Sequence, residues 1–301
     1  MDTVSMSQPT VTLGLCVKNN ASTVKMTLES ILAQDYPMQN LQLVIVDGLS
    51  SDNTVGIVKS VLTDSQLEWF LLSDGGKGLA FARQLVVNNS FGKYIIWIDG
   101  DHILYNDFVS KHVNFMEKNT DVGAAEGYME YIATNTISKL EGYSWNIYNL
   151  RRIDKDLKSL STCGAIYRTS AIKVVGGFDT RLRRASEDSD ISYRIKNHGW
   201  RLRINPEARF KHIMRGDWNS LWKEYFWWGY SSHFIFHKHT NLINPYRFLP
   251  PVAFLSGIRL GIKAYSMTRD ISCILMPFHY TWKRTAWTYG FIKAHFDGYK
   301  A

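Results

Sequence analysis

The first hundred residues alternate between short apolar runs and amphipathic stretches. Val11-Thr-Leu-Gly-Leu-Cys-Val17 is almost continuously apolar and ends in the polar turn Lys18-Asn19-Asn20. A run this short, closed by turn residues, predicts a strand buried on both faces. Ser22 is placed to cap a helix running to about Ala33. Leu41 to Val46 predicts a second strand, closed by Asp47-Gly48. Asp52 then opens a helix with Val55, Val58, Val61 and Leu62 on one face. Glu68 to Leu72 predicts a third strand, Gly78 to Asn88 a helix, and Lys93 to Ile98 a fourth strand that stops at Asp99-Gly100-Asp101. Strands alternating with helices indicate βαβ units, hence an α/β fold with a mostly parallel central sheet. Ligands of such sheets sit at the carboxyl ends of the strands. Here those ends carry Lys18, Asp47, Asp99 and Asp101.

The pattern loosens between about 120 and 185. Glu187 to Asn197 predicts a helix with Ile191 and Ile195 inward, and a β-like run follows into Phe210-Lys-His212-Ile213. From about 217 the chain turns aromatic, with Trp218, Trp222, Tyr225, Phe226, Trp227, Trp228 and Tyr230 in close succession. Two later runs, Phe248 to Ile258 and Ile271 to Trp282, carry no charge and each contains proline. They fall well short of the ~18–20 residues that span a bilayer. Arg259, Lys263, Lys283 and Arg284 flank them, a pattern that fits interfacial helices. A helical subdomain packed on the body, or an oligomer interface, is the competing reading. The expected organisation is an α/β domain over 1–216 and a helical, aromatic and basic membrane-associating region over 217–301.

Composition sharpens this picture. With 45% hydrophobic and 21% charged residues in 301, the chain is globular, which excludes disordered, collagen-like and coiled-coil classes. The net charge of +8 is uneven: residues 1–191 carry 18 basic and 22 acidic side chains, residues 192–301 carry 17 and 5. The second part also holds seven of ten Trp. A basic, Trp-rich segment indicates an anionic surface as partner. The apolar, proline-broken runs favour membrane lipid, and no nucleic acid is expected. Cys16, Cys163 and Cys273 are too few and too scattered for a disulfide framework or a zinc site, which fits a reducing compartment. The opening residues show no basic stretch followed by an apolar one, so no signal peptide is expected.

Several residues could carry chemistry. Asp99 and Asp101, separated by one small residue at a strand end, can hold a hard divalent cation such as Mn²⁺ or Mg²⁺. Turn formation is the ordinary alternative. Asp47 can accept hydrogen bonds from a nucleobase edge, or serve a turn. Lys77, in Asp74-Gly-Gly-Lys-Gly78, suits a phosphate or ribose, or is simply solvated. Glu187 and Asp188 can satisfy the start of a helix, or supply a general base to an acceptor hydroxyl. His212 is a further metal ligand or a structural histidine. Tyr143 and Trp145 line an acceptor cleft or pack a core.

In this order and spacing, VTLGLCVKNN, LQLVIVDGLSSDNT, DGGKGLAFARQ, YIIWIDGD, GGFDTRLRRASEDSDISYRI and FKHI make the chain resemble the family 2 glycosyltransferases. The match runs from about Val11 to His212. The most specific part is GGFD followed by the acidic Glu187-Asp188-x-Asp190 group. The resemblance implies a GT-A fold, Rossmann-like with a mixed, mostly parallel sheet, and an inverting transfer from a nucleotide diphosphate sugar. It implies that Val17, Lys18 and Asn19 border the nucleotide and that Asp47 reads its base. Lys77 and Arg83 are then expected near ribose and phosphates, and Asp99 and Asp101 form the metal-binding DxD motif. Asp188 corresponds to the catalytic base with Glu187 beside it on the acceptor side, and His212 to a late histidine at metal or diphosphate.

The chain also departs from the family pattern. Cys16, Val17 and Lys18 stand where a proline, a small hydroxyl residue and a tyrosine are usual, so stacking of the base on that tyrosine is not expected. No QxxRW motif occurs, and Lys223, Trp227 and Trp228 occupy roughly that region; single transfer is expected rather than processive synthesis. The implied partners are a UDP- or GDP-sugar donor, a lipid-linked or glycan acceptor and a membrane surface, at the cytoplasmic face of the cell membrane. A homo-oligomer is left open. The rival readings are a sugar-phosphate nucleotidyltransferase and a non-catalytic nucleotide-binding membrane scaffold. The first wants a Gly-rich basic loop after the first strand, which LCVKNNAST lacks.

Overall fold

The computed structural model describes residues 11–301, apart from the side chain of Arg247. The expectation about a signal peptide rests on the opening residues, 1–10 of which lie outside this range. The chain divides into two compact units. The first comprises the described residues up to Met129, Ile153–Arg183 and Glu187–Lys211; the second comprises Glu130–Arg152, Arg184–Ser186 and His212–Ala301. The single boundary expected at 216 thus leaves out the two inserts that join the C-terminal segment.

The elements run β1 (Val11–Val17), α1 (Val24–Leu32), β2 (Leu41–Asp47), α2 (Thr54–Leu62), β3 (Glu68–Ser73), α3 (Leu79–Asn88), β4 (Tyr94–Asp99), β5 (His102–Leu104) and α4 (Phe108–Lys118). There follow β6 (Val122–Ile132), α5 (Thr136–Leu150), β7 (Ala165–Arg168), α6 (Thr169–Val174), α7 (Glu187–Asn197), β8 (Arg201–Ile213), α8 (Trp218–Lys238), α9 (Pro250–Thr268) and α10 (Met276–Phe296). The sheet order is β3-β2-β1-β4-β7-β6-β8-β5. β1 pairs parallel with β2 and β4, and β2 with β3, while β7 runs antiparallel to β4 and β6. This is the mixed α/β sheet of a GT-A-like domain, parallel across β3-β2-β1-β4.

The four strands expected from the apolar runs are all present. β1, β2 and β4 are buried almost throughout, with Leu13, Leu15, Ile45 and Ile96 fully enclosed. β3 lies at the sheet edge, so its residues are more exposed. Gly14 interrupts the apolar run of β1 because a Cβ there would lie 2.8 Å from Val86 and 2.9 Å from Trp97.

Two helix starts differ from expectation. α1 is preceded by Thr23, not capped by Ser22, and Thr23 turns its hydroxyl to donate to the Gly100 carbonyl at 2.7 Å. α2 is preceded by Asn53. Asp52 sits one residue earlier, accepting from Thr54 N and from Ala21 N, both at 3.0 Å.

In the second unit, α8, α9 and α10 form a helical layer with α5. Gly290 lets α10 approach the Phe226 carbonyl of α8, and Gly229 accommodates Trp287. Phe248 stacks on Trp287 with centroids 4.0 Å apart. The two uncharged runs are the opening parts of longer elements: α9 has 19 residues and α10 has 21. Among the described residues, no helix is long and apolar enough to cross a membrane.

Candidate active site

The carboxyl ends of β1, β2 and β3 finish in one row, because Val17 pairs with Asp47 and Asp47 with Ser73. Asp99 ends β4 one step lower, opposite Cys16. Sheet register therefore gathers the residues that the sequence placed at strand ends.

The loop after β1 is tied down by hydrogen bonds despite its exposure. Asn19 takes φ 53°, a left-handed conformation that asparagine tolerates. Its N–H donates to Ser50 Oγ at 2.9 Å and its Oδ1 accepts from Ser51 N at 2.8 Å. The Gly48 N–H donates to the Val17 carbonyl at 2.8 Å, and Lys18 is exposed. Asp47 is buried and both its oxygens accept from Ser50 N, at 3.3 and 3.1 Å. In this state Asp47 organises the loop that Val17, Lys18 and Asn19 border.

Lys77 is exposed on the turn after β3, its ammonium 4.5 Å from the centre of the Phe81 ring. The turn is held by residues that the sequence reading did not single out. Asp74 is buried and accepts from Gly76 N (2.7 Å) and Gly78 N (3.0 Å). Arg183 donates to the Lys77 carbonyl (3.1 Å) and the Gly76 carbonyl (3.0 Å). The Asp-Gly-Gly pattern signals such a turn, but Arg183 lies 106 residues away and gives no local sign.

Two of the expected site residues hold each other. The Arg83 side chain is 6% exposed and forms an ion pair with Glu187, itself 2% exposed. Glu187 is enclosed at the start of α7, and its Oε2 has no hydrogen-bond partner among the described residues. The pair joins α3 to α7. Arg83 also lies 3.7 Å from Asp99, so one guanidinium bridges the two ends of the site.

Asp188, the neighbouring acid, is half-buried. Burial raises its pKa above the ordinary carboxylate value, while the Arg83 charge and the Ser189 N–H, at 2.6 Å, pull it back. A carboxylate raised in this way is better matched to taking a proton near neutral pH. Tyr167 faces the same region, its phenol pushed well up by burial and by the Asp188 charge.

The Asp99 side chain is 36% exposed. Its N–H donates to His102 Nδ1 at 3.2 Å, which leaves the ring proton on Nε2. That nitrogen lies 3.5 Å from Asp99 Oδ2 and 3.1 Å from Cys163 Sγ. Burial pushes the Cys163 thiol well up and the Cys16 thiol to about 12, so both are neutral and neither is a nucleophile at neutral pH. Gly100 is required between the acids, since a Cβ would lie 2.8 Å from the Asn20 side chain.

The Arg83 guanidinium stands at 3.7 Å, beyond direct hydrogen-bond length from Asp99 Oδ1, and Asp101 is half-buried beside it. Hard carboxylate oxygens in a partly open position fit a divalent cation of the Mg²⁺ or Mn²⁺ type. His212 lies on β8 and belongs to the second unit. In the same unit the Arg215 charge opposes the burial that raises the Glu224 carboxyl.

Tyr143 and Trp145 are engaged in packing the second unit. Tyr143 donates to Asp270 Oδ2 at 2.9 Å, and Trp145 donates to Glu141 Oε1 at 2.9 Å and meets Trp228 edge-on. Glu141 is buried and salt-bridged to Lys283 Nζ at 2.5 Å.

The family model for glycosyl transferase family 2 matches residues 12–176, more than half of the chain. The chain belongs to this family. It is similar to the poly-beta-1,6-N-acetyl-D-glucosamine synthase of Staphylococcus epidermidis, 24% identical over 225 residues, covering 73% of this chain and 53% of that protein. The corresponding Staphylococcus aureus synthase is 21% identical over 229 residues, covering 74% and 54%. The chain thus spans about half the length of the curated relatives it matches. Its fold resembles the mannosyltransferase PcManGT of Pyrobaculum calidifontis, solved with GDP-Man and Mn²⁺, with TM-score 0.68, 20% identity and coverage of 96% and 88%. It also resembles S. aureus TarS 1-349 with UDP-GlcNAc, with TM-score 0.56, 13% identity and coverage of 96% and 92%.

Proposed function

We propose that the protein transfers one sugar, with inversion, from a UDP- or GDP-sugar to a hydroxyl of a lipid-linked saccharide or to a polyprenyl phosphate. The work is assigned to the cytoplasmic face of a membrane. The observation that carries the reading is Arg83. It lies 3.7 Å from Asp99 at the end of β4 and acts electrostatically on Asp188 at the start of α7, so the two carboxylates share one cationic neighbour.

Asp99 and Asp101 are the residues that would hold Mn²⁺ or Mg²⁺, and such a cation offsets negative charge on a diphosphate. The loop of Val17, Lys18 and Asn19, with Asp47 behind it, is assigned to the nucleoside. Lys77, on the turn fixed by Asp74 and Arg183, is assigned to the phosphate region. Asp188 accepts the proton of the acceptor hydroxyl. The oxygen forms its bond to the anomeric carbon as the bond to the diphosphate oxygen breaks, and that electron pair leaves with the nucleoside diphosphate. One displacement inverts the anomeric configuration. Arg83 and Glu187 are positioning residues: they fix α3 against α7 and set the field at Asp188.

Two relatives are polymer synthases by name. The absence of QxxRW and the packing of Trp228 against Tyr225 and Trp145 favour single transfer here. The test is Asp188→Asn. Transfer should fall by at least the ~10²–10⁴-fold that a general base contributes, with donor binding retained. Undiminished turnover removes Asp188 from the role.

A further inference from the structure

The outer side of α9 and the segment after it form a surface that the fold leaves open. The inner side of α9 is a stripe of small residues, Ala253, Gly257, Gly261 and Ala264, all buried. A Cβ at Gly257 would meet Pro277 at 2.6 Å, and one at Gly261 would meet the Cys273 carbonyl at 2.8 Å. α9 therefore lies tightly along the 3-10 turn Ile271–Leu275 and the start of α10. The opposite side carries Leu255, Ile258 and Ile262 at helical spacing, with Ile271, Ile274 and Phe278 across the turn. Ile262 is 68% exposed, Ile271 78% and Ile274 74%. Phe254 meets Phe278 edge-on at 5.7 Å, which joins the apolar side of α9 to that of α10.

The exposed charges beside this surface are basic. Arg259 and Lys263 each follow a residue of the apolar stripe, Ile258 and Ile262, by one position, and Arg269 ends the helix; all three are exposed. Asp270 is the nearby acid, and it is engaged by Tyr143 at 2.9 Å and Lys139 at 3.8 Å. Tyr265 and Trp282 stand at 44% and 42% exposure along the margin. An apolar stripe bordered by cations and by amphipathic aromatic rings matches the boundary between headgroups and acyl chains of an anionic bilayer. A second copy of this chain is disfavoured, because two-fold pairing of this surface sets its own basic residues against one another.

We propose that α9 and the turn after it form a monotopic docking face for anionic lipid, lying in the plane of the interface. Ile262 and Ile274 enter the acyl boundary, and Arg259, Lys263 and Arg269 contact the headgroups. This rests on the membrane reading given above and not on the transfer chemistry.

The experiment is vesicle flotation of the full chain. It compares phosphatidylcholine alone with phosphatidylcholine and phosphatidylglycerol in equal parts, while nucleotide binding is measured on the same samples. Wild type should float with the anionic vesicles and far less with the neutral ones. Ile262→Asp with Ile274→Asp should abolish flotation while leaving circular dichroism and nucleotide binding unchanged, since both side chains point to solvent. Arg259→Gln and Lys263→Gln should each weaken anionic binding about fivefold, as expected for roughly 1 kcal/mol per basic residue at such a surface. Equal flotation by the double Asp variant overturns the proposal, and so does a wild type that binds nucleotide yet does not float. A lipid-free dimer that the double Asp variant converts to monomer overturns it in favour of self-association. Flotation without nucleotide binding leaves this surface standing and removes the transfer reading instead.

Discussion

Arg83→Met removes a guanidinium that the first unit encloses between two acids. The Arg83 side chain is 6% exposed and that of Glu187 is 2%, so solvent screens the pair little. Glu187 Oε2 already lacks a hydrogen-bond partner among the described residues. Losing Arg83 leaves a buried carboxylate without its counter-charge, a change that costs about 3–5 kcal/mol in comparable sites. At about 2 °C per kcal/mol for a chain of this size, the melting temperature should fall by roughly 6–10 °C.

The same variant has a second, separable signature. Arg83 holds the Asp188 pKa down against burial. Without it Asp188 rises further, so the acid limb of the pH–rate profile moves to higher pH. Glu187→Leu should destabilise to a similar degree. The double variant Arg83→Met with Glu187→Leu should regain most of the loss, because neither charge is then stranded. Denaturant melts of the four proteins give the coupling, and transfer rates across pH give the second readout. Single variants each costing under about 1 kcal/mol, the exposed-pair range, together with an unmoved acid limb, refute a buried pair that sets the field at Asp188.

Three further outcomes follow from the geometry. Wild-type transfer should rise with pH through a midpoint above the ordinary carboxylate value of about 3.9, because Asp188 acts only when ionised and burial raises its pKa; a flat profile contradicts this. Acidification should destabilise the fold through His112 and His279, whose folded pKa values lie at about 3 against 6.5 in the free residue. Between those limits the unfolded chain binds more protons, so stability is lost as pH falls from about 6.5 towards 3, and urea midpoints at pH 7 and pH 5 check the sign. Gly100→Ala should weaken metal-dependent donor binding more than it lowers the melting temperature, since its Cβ would push on Asn20 beside Asp99 and Asp101; unchanged donor affinity counts against that placement.

The legible parts of the fold were those written locally. β1, β2 and β4 are buried on both faces, so each reads as an apolar run, and Asp47 and Asp99 mark the ends of β2 and β4. β6 was hidden because Val122-Gly-Ala-Ala-Glu-Gly has weak strand preference; Gly123 is there to admit Trp200. α5 was hidden because its buried face includes Ser138, Glu141 and Asn149, and the cation that matches Glu141 is Lys283, 142 residues on. The pairing of Arg83 with Glu187 was hidden for the same reason: the two lie 104 residues apart, and no spacing rule connects them. The uncharged runs in the second unit marked only the beginnings of α9 and α10. Arg259 and Lys263 read as a boundary, whereas they lie on the exposed side of a helix that continues to Thr268.

The most direct measurement is calorimetric titration with UDP, GDP and their sugars, in Mn²⁺ and then in EDTA, on wild type and on Asp99→Asn with Asp101→Asn. The expected result is binding of one nucleotide class in Mn²⁺, lost in EDTA and lost in the double variant while the fold is retained. Folded protein that binds none of these nucleotides, or binds them equally in EDTA and in the double variant, contradicts the account.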